Sequence, residues 1–330
     1  MTGPGSTARR WTALAPAKVN LCLYLGPVRA DGRHELVSVM QSLSLADELT
    51  LSVADGGAAA DEVLCPGVAG PNLAADALAA YRAATGWCAP PVRVHITKRI
   101  PVAAGMAGGS ADAGATLRLA SAAAGRWADA APGPAAGREE ELLLELAAGL
   151  GADVPAQVRP GRFLATGAGE RLRRLSDPAR FGVLVLACDA GLSTPAVFDQ
   201  ADRMSLPRSV GALAQARHQV EQALLRAPDA LPDVLAVNEL APAARALEPG
   251  IDEALRDARR VGASVALVCG SGPTVVGLFA GPGGPARARG AAQRLAHRRP
   301  PALAAEPVGD GVGAPTIEGV RHNPGSGSLS

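Results

Sequence analysis

The segment most suited to chemistry is Pro101-Val102-Ala103-Ala104-Gly105-Met106-Ala107-Gly108-Gly109-Ser110-Ala111-Asp112. Its glycines let a backbone approach a ligand closely, and the free N–H groups at a helix start face an anion. A phosphate chain fits there, with the Ser110 hydroxyl free to touch phosphate or Mg²⁺. No Gly-Lys-Ser/Thr closes the segment, so it is not a P-loop, and the G-x-G-x-x-G spacing of dinucleotide sites is missing. A tight strand-to-helix connection with Ser110 as N-cap is the plainer reading.

Three further places carry polar residues in unusual company. Lys18 and Asn20 enter an apolar run, Ala15-Pro16-Ala17-Lys18-Val19-Asn20, although an alternating strand also puts polar side chains on its outer face. Asp153 lies just beyond a glycine in Leu150-Gly151-Ala152-Asp153-Val154-Pro155, as a reactive acid or as a turn residue. Val268-Cys269-Gly270-Ser271-Gly272-Pro273-Thr274 reads as strand, tight turn and strand, with or without a ligand.

The elements that must position these residues follow from periodicity. Trp11 to Leu25 alternates as a strand, a turn holds Asp31-Gly32, and residues 36–53 continue as strand with Asp47 near a turn. Asn72 to Ala84 is helical, and Val92, Val94 and Ile96 mark a strand ending at Lys98-Arg99-Ile100-Pro101. A helix follows over Ser110 to Ala124, then a loop over 125–138, then an acidic-started helix from Glu139 to Leu150. Arg162 to Thr166 and Val183 to Cys188 read as strands, Val210 to Leu225 and Gly250 to Val261 as helices. Ser264 to Val268 and Val275 to Phe279 form a strand pair. Strands and helices mixed in both halves argue for two α+β or α/β domains, 11–177 and 178–302. Residues 1–10 and 303–330, rich in Gly, Ser, Pro and Ala, read as a disordered and a mostly disordered tail.

Composition excludes several classes of function. A net charge of +1 without a basic block leaves nothing to neutralise a nucleic-acid backbone, and aromatic platforms for bases are scarce. The five cysteines show no metal-like spacing and read as small buried hydrophobes of a reducing compartment. No signal-like segment opens the chain, and no apolar run approaches the ~20 residues of a membrane helix. The expectation is a cytoplasmic protein without nucleic-acid or membrane partners, as monomer or homodimer.

Taken together and in this order, Pro16-Ala17-Lys18-Val19-Asn20, the Pro101–Asp112 loop and the Cys269–Thr274 turn resemble the three motifs of the GHMP kinases. Ala30-Asp31-Gly32-Arg33-His34-Glu35-Leu36, Leu150-Gly151-Ala152-Asp153-Val154-Pro155 and Ser193-Thr194-Pro195-Ala196-Val197-Phe198 are similar to segments of one branch. That branch comprises the 4-diphosphocytidyl-2-C-methyl-D-erythritol kinases. Pro71-Asn72-Leu73 and Val237-Asn238-Glu239-Leu240 resemble it too.

The resemblance implies a two-domain GHMP fold, an amino-terminal domain like ribosomal protein S5 domain 2 and a ferredoxin-like carboxy-terminal one. It implies a small-molecule substrate, ATP with Mg²⁺ as phosphate donor and the acceptor's 2-hydroxyl as target, a step of the non-mevalonate isoprenoid pathway. Asp153 matches the catalytic aspartate and Lys18 the catalytic lysine. The backbone from Pro101 to Ala111 would wrap the ATP phosphates, with Ser110 within reach of the metal. Asn20, His34 and Phe198 would meet the acceptor, His34 at the cytosine edge and Phe198 stacked on the base. Gly270, Ser271 and Gly272 would support the site from the second domain. Two departures stand out. Arg33 replaces the usual tyrosine, and Ala111-Asp112 replaces Ser-Asn in the glycine-rich run. The implied rivals are a homoserine- or mevalonate-type kinase and a non-catalytic sensor on the same fold.

Overall fold

Alternating apolar side chains draw the start of the chain into two long strands, β1 (Arg10–Val28) and β2 (His34–Val53), joined by a turn in which Gly32 takes φ of 78°. A computed structural model describes residues 9–55, 57–125, 134–176, 180–188, 191–226, 235–309 and 311–317. The two strands pair antiparallel, with register shifts between Pro16 and Lys18 and between Asn20 and Cys22. Pro16 has no N–H to give the ladder, and a bulge beside it is the expected result. Lys18 and Asn20 therefore sit on a short stretch bracketed by two irregularities.

Next come β3 (Glu62–Leu64), α1 (Leu73–Thr85), β4 (Val92–Thr97), α2 (Gly108–Ala123) and α3 (Pro134–Leu150). The Asn72 side chain accepts from the N–H of Ala74 and so caps α1, which ends at Gly86 in the left-handed region. A short α4 (Pro155–Val158), then β5 (Arg162–Thr166) and β6 (Arg171–Arg174) complete the first half. One sheet runs β3–β4–β2–β1, with β5 joined to β2 and β6 to β5. Helix α2 packs against β1, α1 and α4, and every residue from Ala111 to Ser121 is buried. A helix sealed all round has to bury its polar side chains as well, and Asp112, Arg118 and Ser121 are enclosed with it.

The second half holds β7 (Gly182–Leu186), α5 (Thr194–Arg203), α6 (Val210–Arg226), α7 (Ala241–Leu247) and α8 (Gly250–Arg260). It continues with β8 (Val265–Val268), β9 (Val275–Phe279), α9 (Gly284–Arg294) and β10 (Leu303–Ala305). A second sheet runs β10–β7–β9–β8, with α8 and α9 packed on it. Its core is Leu184, Leu186, Val275, Phe279, Ile251 and their neighbours, each full aliphatic burial contributing ~1.5–3 kcal/mol.

Four expectations change. Asp47 lies within β2 and is wholly buried, not at a turn. Its carboxylate accepts from the backbone N–H of Arg99 and Ile100 and from Lys98 Nζ, which makes a carboxylate tenable inside a sheet. Helix α2 opens at Gly108 with Ala107 as its N-cap, so Ser110 lies in the first turn instead of capping it. Helix α3 opens at Pro134, shortening the expected 125–138 loop, of which 126–133 lie outside the described residues. The expected tail from 303 holds structure at 303–309 and 311–317: β10 pairs with β7, and β11 (Thr316–Ile317) adds to β1 at Trp11 and Thr12. Main-chain pairing needs no apolar pattern, which is why composition missed it. Residues 1–8 and 318–330 of the expected tails, and the boundary at 177/178, lie outside the described residues.

Candidate active site

Lys18 is 5 % exposed, and its ammonium lies 3.4 Å from Asp153 Oδ1 while donating to Asn20 Oδ1 at 2.9 Å. Asn20 in turn donates through Nδ2 to Ser38 Oγ at 2.7 Å, and Ser38 donates to the Cys22 carbonyl at 2.6 Å. The chain of bonds fixes the amide's orientation, so its oxygen faces the lysine. Asp153 precedes α4 and keeps about a third of its side chain open. A buried ammonium held by one neutral amide and one part-exposed carboxylate still has room for a further anionic partner.

These groups line a cleft of about 510 Å³ that also takes in His34, Phe198, Gly270 and Ser271. Arg33 lines it too, tied to Asp31 through its backbone N–H, Nε and Nη2. His34 is buried at the start of β2, and its Nε2 meets Asp202 Oδ1 at 2.8 Å. The Phe198 ring stands 5.1 Å from the His34 ring at 36°. Phe198 and Asp202 occupy successive turns of α5, so one helix face supplies both the ring and the carboxylate. Sequence reading missed Asp202, whose bond to His34 spans 168 residues and leaves no local signal.

The glycine-rich loop and the second-domain turn close on each other. The Lys18 N–H donates to the Met106 carbonyl at 3.1 Å, and the Cys269 thiol reaches the carbonyls of Lys18 and Gly105. A Cβ on Gly105 would come within 2.6 Å of the Cys269 carbonyl oxygen and 2.7 Å of that of Gly272. Asn238 donates to the carbonyls of Val268 and Gly270 and accepts from the Leu240 N–H, which pins the same turn. Ser271 Oγ and Thr194 Oγ1 are 3.0 Å apart. Gly272 faces Val268 and Ala244 rather than the cleft.

Within the loop, Val102, Ala103 and Gly109 are exposed, while Pro101, Gly105, Ala107, Gly108 and Ser110 are half-buried. Ala104, Met106 and Ala111 are buried, so only their backbone is available to a ligand. Ala107 has φ of 57° and makes no side-chain cap, which leaves the first N–H groups of α2 without a side-chain acceptor. A Cβ on Gly109 would meet nothing within 4 Å. An open approach to bare helix N–H groups suits a phosphate chain. Among the described residues no three His, Cys, Asp or Glu side chains could together hold a metal ion.

Beneath the loop lies a cluster that sequence reading did not anticipate. Lys98 Nζ bridges Asp47 and Asp112, the latter at 2.8 Å, and sits 3.3 Å from where a Cβ on Gly108 would be. Burial, aided by the nearby Asp47 charge and opposed by Lys98, pushes the Asp112 carboxyl up to about 7. The Lys98 ammonium is raised despite its burial, because both carboxylates favour its charged form. Burial raises the Cys269 thiol and pushes Cys22 up to about 12, which disfavours the thiolate at both. Cys65 and Cys188 are half-buried and Cys88 is exposed, which corrects the expectation that all five are buried. His95 and His218 lie on exposed faces of β4 and α6.

The model of the GHMP kinases N terminal domain matches residues 72–161, and that of the GHMP kinases C terminal domain residues 211–298. A 4-diphosphocytidyl-2-C-methyl-D-erythritol kinase of Streptomyces coelicolor is 44 % identical over 81 % of this chain and 87 % of its own. One from Corynebacterium efficiens is 39 % identical over 81 % and 84 %. A crystal structure of 4-(cytidine 5'-diphospho)-2C-methyl-D-erythritol kinase superposes with a TM-score of 0.68 at 31 % identity, covering 90 % of this chain and 99 % of the other. Homoserine kinase from Cytophaga hutchinsonii, at 16 % identity, shares the fold, with a TM-score of 0.67 over 96 % and 99 %.

Proposed function

The chain belongs to the GHMP kinase family, and we infer that it transfers the γ-phosphate of ATP to the 2-hydroxyl of 4-diphosphocytidyl-2-C-methyl-D-erythritol. The observation that carries this reading is the meeting of Lys18 and Asp153 at 3.4 Å in a cleft shared with the edge of a helix-opening glycine loop. Among the described residues no helix is long and apolar enough to cross a membrane, as suits an enzyme with two water-soluble substrates.

Phosphoryl transfer asks a protein for positioning and for charge stabilisation. In this reading Asp153 accepts the proton of the acceptor hydroxyl as its oxygen bonds to the γ-phosphorus and the bond to the β–γ bridging oxygen breaks. Lys18, fixed by Asn20, keeps that carboxylate in place and steadies negative charge on the oxygens in transit. The N–H groups of Gly108, Gly109 and Ser110, at the positive end of α2, hold the phosphates that leave as ADP. Mg²⁺, held by phosphate oxygens and the Ser110 hydroxyl, would supply neutralisation of the triphosphate charge.

His34, Phe198 and Asp202 form the base-binding end of the cleft in this reading. A ring beside an oriented imidazole suits a planar nucleobase, and an acceptor such as homoserine or mevalonate would leave it idle. That favours the cytidyl acceptor over the other GHMP substrates. The test is ADP release by the purified protein with ATP and Mg²⁺, with and without 4-diphosphocytidyl-2-C-methyl-D-erythritol, homoserine or mevalonate. Release stimulated by the cytidyl alcohol alone is expected; stimulation by either of the others instead would overturn the assignment.

A further inference from the structure

Arg118 is 1 % exposed, in the middle of α2, and no carboxylate among the described residues pairs with it. Its guanidinium instead donates to three backbone carbonyls. Nε reaches Gly313 at 2.9 Å, Nη2 reaches Leu14 at 2.6 Å, and Nη1 bonds to Gln157. Burial alone pulls this guanidinium down to about 9, well below the usual arginine range. A buried cation without a counter-charge is destabilising unless its donors are satisfied, so losing any one carbonyl is expensive.

The identity of the three carbonyls is informative. Leu14 lies on β1 four residues before Lys18, and Gln157 lies in α4 four residues after Asp153. Arg118 itself is on the helix whose first turn opens the glycine-rich loop. One planar fork therefore spans the three segments that carry the lysine, the aspartate and the phosphate cradle. Gly114, one turn earlier on α2, makes the approach possible: a Cβ there would come within 2.6–2.8 Å of the Cβ, carbonyl oxygen and carbonyl carbon of Gln157. Gly313, with φ of 89°, closes the fork from the carboxy-terminal segment; a Cβ on it would meet the Leu14 oxygen at 2.6 Å and Arg118 Nη2 at 2.9 Å.

We propose that Arg118 is a positioning residue for the phosphoryl transfer, fastening β1, α4 and α2 so that Lys18 and Asp153 meet over the phosphate loop. The proposal rests on the kinase reading above. An ångström of misplacement between a base and its target lowers a rate by about 10²-fold while leaving binding largely intact. The effect belongs in kcat, since Arg118 is buried and does not line the cleft.

The experiment uses the full chain. Wild type is assayed first with ATP, Mg²⁺ and the cytidyl acceptor; no turnover there would refute the kinase reading itself, apart from anything Arg118 does. Arg118→Lys, Gly114→Ala and Gly313→Ala are then compared at 15 °C, below their melting temperatures. Lys keeps the charge but cannot reach three carbonyls, Gly114→Ala pushes away α4 and with it the Gln157 carbonyl while leaving the guanidinium in place, and Gly313→Ala perturbs the fork from the far side. The expected result is a kcat lowered at least tenfold in Arg118→Lys and in Gly114→Ala, with KM for both substrates within about threefold. Gly313→Ala should show a smaller loss of the same kind. Lowered melting temperatures with kcat within twofold of wild type in the folded variants would mean a structural role only and would overturn the proposal. Should Arg118→Lys not fold, the two glycine variants decide by the same criterion.

Discussion

Lys98 and Asp112 form an ion pair 2.8 Å long at the foot of the glycine-rich loop, and the same ammonium also serves Asp47. Two buried carboxylates thus share one cation. Asp47 has two backbone N–H donors besides, whereas Asp112 Oδ1 has no hydrogen-bond partner. The fold favours the acid form of Asp112: burial, with the Asp47 carboxylate close by, pushes its carboxyl up to about 7 against the pull of Lys98.

That shift makes a stability prediction with a definite sign. A carboxyl raised on folding is held more tightly as the acid in the native state, so its cost is absent below the unfolded value of about 4, grows up to about 7 and is constant above. Asp112→Asn, which mimics the protonated form, should stabilise the protein by about 3 kcal/mol more at pH 8 than at pH 5. Urea melts at the two pH values measure this. An equal effect at both would show that Asp112 stays ionised in the fold.

Asp153→Asn keeps the shape of the side chain and removes the proton acceptor. Turnover should fall by at least 10³-fold while ATP affinity changes less than about threefold. Steady-state kinetics with a separate nucleotide titration separate the two. A variant keeping more than a tenth of the wild-type rate would take the base role from Asp153.

How far these residues could be read from sequence depends on the physics that holds them. Lys18 and Asp153 stood out less by local pattern, which left each an outer-face or turn residue, than by the motifs they share with the GHMP kinases. Their environment was not legible: alternation assigns Lys18 to an outer face, yet β1 is covered on both sides at that point and the lysine is buried. Most helices and strands were legible within a few residues because their apolar period survives in the sequence. The C-terminal segment was not, since Leu303–Ala305 and Thr316–Ile317 are held by main-chain pairing and by the Gly313 carbonyl, none of which leaves a side-chain signature. Arg118, Asp202 and the Lys98 cluster are contacts across long sequence separations, and each looks like an ordinary surface charge until the chain is folded.

His34→Ala should raise KM for the cytidyl acceptor at least tenfold and leave KM for ATP unchanged, because the imidazole lies at the Phe198 end of the cleft. Asp202→Ala should give a smaller rise of the same kind, since it removes only the partner that orients the ring. Equal changes in both Michaelis constants would place neither residue at the base.

Gly105 is where the two domains' loops come nearest, and its replacement by alanine tests whether that closeness matters. Its φ of 69° already disfavours a side chain by ~1 kcal/mol. The added Cβ would also press on the carbonyl oxygens of Cys269 and Gly272 at 2.6 and 2.7 Å, both backbone atoms that cannot swing aside. The turn is pinned from behind by Asn238, so the glycine-rich loop would have to move. Gly105→Ala should therefore cost ~2 kcal/mol or more of stability and weaken ATP binding about tenfold or more. The loss should appear in KM for ATP before that of the acceptor, because the displaced segment leads into the N–H groups that open α2. Thermal melts with and without nucleotide measure both effects. A variant that melts lower yet shows an undiminished nucleotide-induced rise in melting temperature would separate the loop's docking from its hold on phosphate.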